Sequence, residues 1–330
     1  MLTALLAASL FASQARVPLP RASRVAIVGR DVVVATEDGK GVVLSSDGKG
    51  GFREKARFEP GDNPSSLTAA DLNGDGQPDL VVANHERAYA TVLLGPSFSA
   101  PRRVVLDVTP HAHFAAAADL DGDGKLDLIA NDMGGKRVLV YWGNGDGTFS
   151  KTPTAALTGS KGFAYIDVAV VGRRLFVPTW PRSELAVIGA HGRVLAAEAL
   201  LDLPNPSFYA VALGADVAVA TYSGNTGDAS RDGVVLLPGG KSPVRSFAAG
   251  HAPTALAAGD IDGDGNADLA VCNQGSDSVT LFRGAPGSLK EAETLPAPHP
   301  QGVALGDLDG DGKADLVVAA RDEVIVFRTR

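Results

Sequence analysis

The sequence predicts an all-β fold: a seven-bladed β-propeller of four-stranded blades, its ring closed by an N-terminal strand. Three observations lead there. An acidic stretch, Asp119-Leu120-Asp121-Gly122-Asp123-Gly124-Lys125-Leu126-Asp127-Leu128, recurs as Asp71–Leu80, Asp260–Leu269 and Asp307–Leu316. The copies start 48, 141 and 47 residues apart, and 141 is three times 47. Gly, at 39, and Pro, at 20, are frequent in the 330-residue chain while aromatics are sparse, which suits short strands and many turns. A period of about 40–50 residues with four strands per unit marks a propeller blade.

The elements follow in order. Val32-Val33-Val34-Ala35-Thr36 is the second strand of a first blade that lacks the acidic stretch. Leu80–Asn84 and Leu269–Asn273 are its counterparts after acidic stretches, and Leu175–Thr179 and Val217–Thr221 fill the two unmarked places between Asp119 and Asp260. In blades 1, 4 and 5 a glycine turn replaces the acidic loop: Gly29-Arg30-Asp31, Gly172-Arg173-Arg174 and Gly214-Ala215-Asp216. Within blade 3, strands over Ala115–Leu120, Leu126–Asn131 and Val138–Trp142 precede a turn at Gly143–Phe149 that leads into the fourth. Runs of small residues such as Ala115–Ala118 suit the innermost strands, where large side chains would clash around the axis. Blade 7 ends at its third strand, Glu323–Arg330, so residues near 13–19 are expected to supply its fourth and close the ring.

Residues 1–15 read as a signal peptide, with an apolar core over Leu2–Phe11 and small residues at Ser13 and Ala15, which leaves 16–330 as one propeller domain. The expected location is therefore secreted, periplasmic or cell-surface. No apolar run beyond the N-terminus is long enough to span a membrane. A net charge of −8 with no basic patch disfavours nucleic acid. Cys272 is single, so no intramolecular disulfide forms.

The acidic stretches read as hard-oxygen cages. In order they supply Asp71, Asn73, Asp75, Gln77 and Asp79; Asp119, Asp121, Asp123, Lys125 and Asp127; Asp260, Asp262, Asp264, Asn266 and Asp268; and Asp307, Asp309, Asp311, Lys313 and Asp315. Positions 1, 3, 5 and 9 offer side-chain oxygens, position 7 its backbone carbonyl, and the Gly at position 6 permits the curl that brings them together. Such ligands select Ca²⁺ at about four sites. The loops hold 15 of the 38 acidic residues, so four divalent cations would bring the net charge to about zero. Helices and a position-12 Glu, which an EF-hand needs, are missing, since position 12 is Val82, Ala130, Val271 or Val318.

The DxDGDGxxDL pattern with its following β run, and Gly145-Asp146-Gly147-Thr148-Phe149 before a fourth strand, resemble the FG-GAP/VCBS repeats of integrin α-subunit-like propellers. The resemblance covers roughly 16–330 and is carried by the motifs of blades 2, 3, 6 and 7. It implies Ca²⁺ loops on the lower face, between first and second strands, in a family of adhesion and binding modules, lectins and parts of extracellular enzymes.

The opposite, upper face is then the expected ligand face. His111, His113, His251 and His299 precede their blades' reference Asp, and Trp180, Tyr222 and Asn225 lie in turns between second and third strands. Aromatics also gather at the starts of blades 3 to 5, as Phe114, Phe163, Tyr165, Phe208 and Tyr209. No GxSxG or complete P-loop occurs. The expected function is a monomeric, non-catalytic binding, adhesion or scaffold module for an unknown protein or glycan. The alternatives are a lectin-like propeller using the aromatic arc and a polysaccharide-active enzyme at the upper channel mouth.

Overall fold

A computed structural model describes residues 9–85, 87–108, 112–164, 167–223 and 232–330. It is all-β, with seven antiparallel blades in a ring. Blade 1 runs Ala22–Val28, Asp31–Thr36, Gly41–Ser46 and Phe52–Phe58, and blade 2 runs Pro64–Ala70, Asp79–Asn84, Tyr89–Leu93 and Arg102–Val105. Blade 3 is Ala115–Ala118, Asp127–Asp132, Arg137–Tyr141 and Thr154–Leu157. In blade 4 the first strand is broken into Phe163–Ala164 and Ala169–Val171, both pairing with Arg174–Trp180, before Glu184–His191 and Val194–Asp202. Blades 5 and 6 begin at Ser207–Leu213 and Pro253–Gly259.

Blade 7 contributes Gly302–Gly306, Asp315–Ala320 and Glu323–Thr329, and its fourth strand is Phe11–Pro18, antiparallel to Glu323–Thr329 from Phe11↔Thr329 to Pro18↔Glu323. The ring thus closes through an N-terminal strand, as expected, but that strand begins two residues earlier than 13. Phe11 is fully buried and packs on Phe327 with ring centroids 5.5 Å apart. A cut after Ala15 would remove the first half of this strand.

The core explains the ring. The second strands are buried along their central residues, as in Leu80–Ala83 and Leu316–Ala320, because each blade is covered on both faces by its neighbours. Such strands read as continuous apolar runs rather than alternating ones. The apolar side chains form seven clusters, and each spans the junction of two adjacent blades, the blade 7–blade 1 junction included. Fourth strands, at the rim, alternate instead; Val194–Asp202 turns exposed and half-buried residues to opposite sides. Cys272 is a buried free thiol inside the blade 6–blade 7 cluster, and burial pushes its ionisation well up.

Acidic loops, upper face and family

Each acidic loop joins the first strand of its blade to the second, so all four lie on one face of the ring. The curl needs two glycines rather than one. Positions 4 and 6 (Gly74 and Gly76, Gly122 and Gly124, Gly263 and Gly265, Gly310 and Gly312) all have φ between +73° and +88°. That conformation turns successive N–H groups inward onto the position-1 carboxylate. Asp119 Oδ1 accepts from Gly122 at 2.7 Å and Asp123 at 3.1 Å, and its Oδ2 accepts from Gly124 at 3.0 Å. Asp71, Asp260 and Asp307 do the same in their loops. The position-5 carboxylates of Asp75, Asp123, Asp264 and Asp311 accept from the N–H of Gln77, Lys125, Asn266 and Lys313 at 2.7–2.9 Å.

Position 9 is different. Asp79, Asp127, Asp268 and Asp315 are buried, at most 1% exposed. One oxygen of each accepts from the residue after the first Asp (Leu72, Leu120, Ile261, Leu308). The other accepts from the end of the third strand (Gly95, Gly143, Gly284, Thr329). Burial pushes all four above the ordinary carboxylate range, and their own loop's carboxylates push the same way.

Carboxylate oxygens converge in three loops. One oxygen from each of Asp119, Asp121 and Asp127, of Asp260, Asp262 and Asp268, and of Asp307, Asp309 and Asp311 lies within 4.8 Å of the others. These three loops also meet an arginine: Arg193 on Asp121 (2.7 Å) and Asp123 (3.3 Å), Arg283 on Asp262 (3.1 Å), and Arg328 on Asp309 (3.2 Å). Four carboxylates less one guanidinium leave three negative charges, the same as in the first loop, where Asn73 replaces an Asp and no such ion pair occurs among the described residues. Sequence reasoning missed these arginines because they come from other strands or, for Arg193, from the next blade.

On the opposite face the expected ligand residues fall into separate places. His113 stacks near His85, ring centroids 4.3 Å apart, beside a recess of about 500 Å³ that also takes in Arg21, Glu37, Asn63 and Gln301. Trp180, Tyr222 and His251 come together in one run across blades 4 to 6. Trp180 stacks on Phe208 (6.3 Å, 29°), Phe208 meets Tyr222 at 5.9 Å, and Tyr222 meets His251 edge-on at 5.7 Å. His251 Nδ1 lies 2.5 Å from a carboxylate oxygen of the buried Asp232. His299 stands apart between blades 6 and 7, its N–H donating to Asp277. The run is shifted one blade from the arc expected at the starts of blades 3 to 5; Phe114 lines the axial channel instead. His111, Asn225, Tyr165 and the Phe163 side chain lie outside what the structure describes.

No curated protein sequence matches the chain. Solved structures match its fold along nearly its whole length. The N-terminal domain of BBS1 in complex with ARL6 superposes with a TM-score of 0.69 at 16% identity, covering 97% of each chain. A catalytically inactive virginiamycin B lyase from Staphylococcus aureus, bound to quinupristin, gives 0.68 at 12%, covering 96% of this chain and 99% of its own. The Cps50 (Swd1) propeller of Myceliophteria thermophila gives 0.67 at 11%, covering 97% and 99%. At these identities the likeness is one of fold. The FG-GAP-like repeat model matches residues 30–82, 119–171 and 260–318, together half of the chain. With acidic loops, glycine curls and blade topology all in that register, the chain belongs to the FG-GAP-like repeat family.

Proposed function

We propose that the protein is an exported Ca²⁺-holding propeller that works as a monomeric, non-catalytic binding or scaffold module. The observation that carries the metal reading is the convergence of three carboxylates in each of three loops on oxygen-only ligands. Asp71, Asn73, Asp75 and Asp79 would form a fourth, weaker site. The backbone hydrogen bonds and the arginines hold the loops in shape, so the ion adds stability to a loop that is already curled rather than creating it. Export rests on the leader-like residues 1–15. That reading competes with the closing strand for Phe11–Ala15, and the mature N-terminus decides between them.

A binding role suits a rigid ring whose metal loops and variable turns lie on opposite faces. The BBS1 domain, on the same fold, is held in a complex with ARL6, so the ring is suited to presenting a surface to a protein. A lectin-like reading is favoured by one observation, the Trp180–Phe208–Tyr222 run with Trp180 36% exposed, which offers a stacking surface for a sugar. The polysaccharide-active alternative has the His251–Asp232 pair as its best acid–base candidate. Calorimetric titration of chelator-stripped protein with Ca²⁺ tests the metal reading: three to four sites and a raised melting temperature are expected. No heat and an unchanged melt would reject it. A glycan array with Ca²⁺ present decides the lectin reading, and product release from acidic polysaccharides decides the enzymatic one.

A further inference from the structure

The axial channel carries a chemistry that neither the acidic loops nor the aromatic run accounts for. First strands of six blades, with Phe114 just ahead of blade 3's, line a cavity of about 320 Å³, within the size range of small-molecule sites. Most of its wall is small and apolar, with hydroxyls from Ser65, Thr68 and Thr254. Two charges face it, Arg24 from blade 1 and Asp167 from blade 4.

Neither charge is satisfied by the other. Arg24 Nε donates to the Ser65 carbonyl at 2.6 Å, and Nη1 donates to the carbonyls of Ser23 at 3.0 Å and Gln301 at 3.1 Å. These bonds tie blades 7, 1 and 2 together and leave Nη2 with no acceptor among the described residues. Asp167 stands in the break of blade 4's first strand, where its N–H donates across to Phe208 of blade 5 at 3.1 Å. Its carboxylate accepts no hydrogen bond and makes no ion pair among the described residues. Enclosure by the ring pushes its ionisation up to about 7, with Arg24 pulling the other way.

Asp167 and Arg24 are each partly exposed to the channel, so an unpaired carboxylate and an under-used guanidinium there carry part of the cost of a buried charge. A ligand with a single charge would satisfy one group and leave the other charge uncompensated in a narrow channel. A ligand with one charge of each sign satisfies both and adds no net charge. The upper recess shares Arg24, Ser65 and Gln301 with the cavity, which gives a path in from the ligand face.

We propose that the axial cavity binds a small zwitterion of the amino-acid class, its ammonium on the Asp167 carboxylate and its carboxylate on the free edge of Arg24. This rests on the ring alone and not on the metal reading. The probes are glycine, β-alanine and γ-aminobutyrate, which vary the spacing of the two charges, with ethylammonium and propionate as single-charge controls. Ca²⁺ is held constant throughout, and binding is read by calorimetry and by thermal shift. At least one zwitterion should bind, more tightly than either control. Asp167→Asn should fold and weaken that binding by about tenfold or more.

Affinity for the wild type should fall as pH drops from about 8 to about 6, because the carboxylate takes up a proton. Arg24 and the Tyr209 side chain also line the cavity. The rim histidines His85 and His113 border the path into the cavity, so the same pH series on Asp167→Asn must be flat. The proposal is overturned if no zwitterion binds at about 20 mM, a weak-affinity ceiling. It is overturned equally if propionate binds as tightly as the best zwitterion, if Asp167→Asn retains wild-type affinity, or if the pH dependence survives in that variant.

Discussion

Phe11→Ala is the sharpest test of ring closure. The Phe11 side chain is fully buried between blades 6 and 7, against Phe327 at 5.5 Å and in a cluster with Cys272, Leu295 and Ile325. Truncating a buried Phe removes its transfer free energy and leaves a cavity, together about 3–5 kcal/mol. The strand itself stays, since its ladder to Glu323–Thr329 is made by backbone and by the Arg16–Glu323 ion pair. The expected result is therefore a lower urea midpoint with an almost unchanged slope, read by circular dichroism. Deleting residues 9–15 should cost more, because the ladder goes too and the blade 7 edge is uncovered. A Phe11→Ala midpoint equivalent to less than about 0.5 kcal/mol of change would refute the closure energetics, since a residue that is dispensable there is not holding the ring. Intact mass of the mature protein completes the test: Phe11 is expected to be present, and a mature chain beginning at Arg16 would show that Arg16–Pro18 suffice as the clasp.

Three further outcomes are expected. Asp127→Ala should destabilise by about 3 kcal/mol even in chelator, because it strands the buried N–H groups of Leu120 and Gly143, each 2.9 Å from the carboxylate; Asp123→Asn should matter only with Ca²⁺ present, and equal effects of the two in chelator would contradict this. Asp216→Ala should cost about 2–3 kcal/mol irrespective of Ca²⁺, because Asp216 accepts from Gly239 and from Gly287 of the next blade at 2.7 Å each; a Ca²⁺-dependent loss would mean that blade 5 feels a metal. For Asp167, the folded-state value of about 7 lies above the ordinary 3.8, so its ionisation opposes folding: stability is greatest below the lower value and falls as pH rises through the window. Asp167→Asn should therefore gain on the parent between about pH 5 and pH 8, by at most about 4 kcal/mol and by less to the extent that channel water reaches the group; a parent–variant difference that does not change with pH would refute the shift.

The blade count and the closing strand were legible because a propeller repeats one physical solution. Acidic loops set the period, and runs such as Val32–Thr36 and Val217–Thr221 are readable without them because a strand covered on both faces must be apolar at every position. What escaped is whatever depends on neighbours from another blade. The period assigns Arg193 to blade 4 and Asp121 to blade 3, but says nothing of their 2.7 Å contact. The His251–Asp232 pair and the Trp180–Phe208–Tyr222 run were hidden for the same reason. Asp167 did leave a signal: a carboxylate in Asp167-Val168-Ala169-Val170, within a first strand otherwise made of small and apolar residues, is out of keeping with a packed axis. The break in the strand, by contrast, has no counterpart in local propensity.

The blades without acidic loops clarify the blades that have them. Asp31 and Asp216 stand at the head of their second strands, where Asp79, Asp127, Asp268 and Asp315 stand in theirs. With no metal ligands around it, Asp216 still bonds two backbone N–H groups beyond its own strand, and Asp31 takes the Ser45 hydroxyl and the Lys55 ammonium. A carboxylate at the head of the second strand is thus useful to a blade before any cation is considered, because it joins strands at a turn where the ladder leaves N–H groups unpaired. Blade 4 puts Arg174 there and pairs it with Glu198 instead, at 2.9 Å. The acidic loop then divides into two parts. Position 9 belongs to the blade, whereas positions 1, 3 and 5, more exposed and partly neutralised by arginine, are the part that a cation would strengthen. Function need not follow the metal, and the charges facing the axis lie in blades 1 and 4, which have no acidic loop.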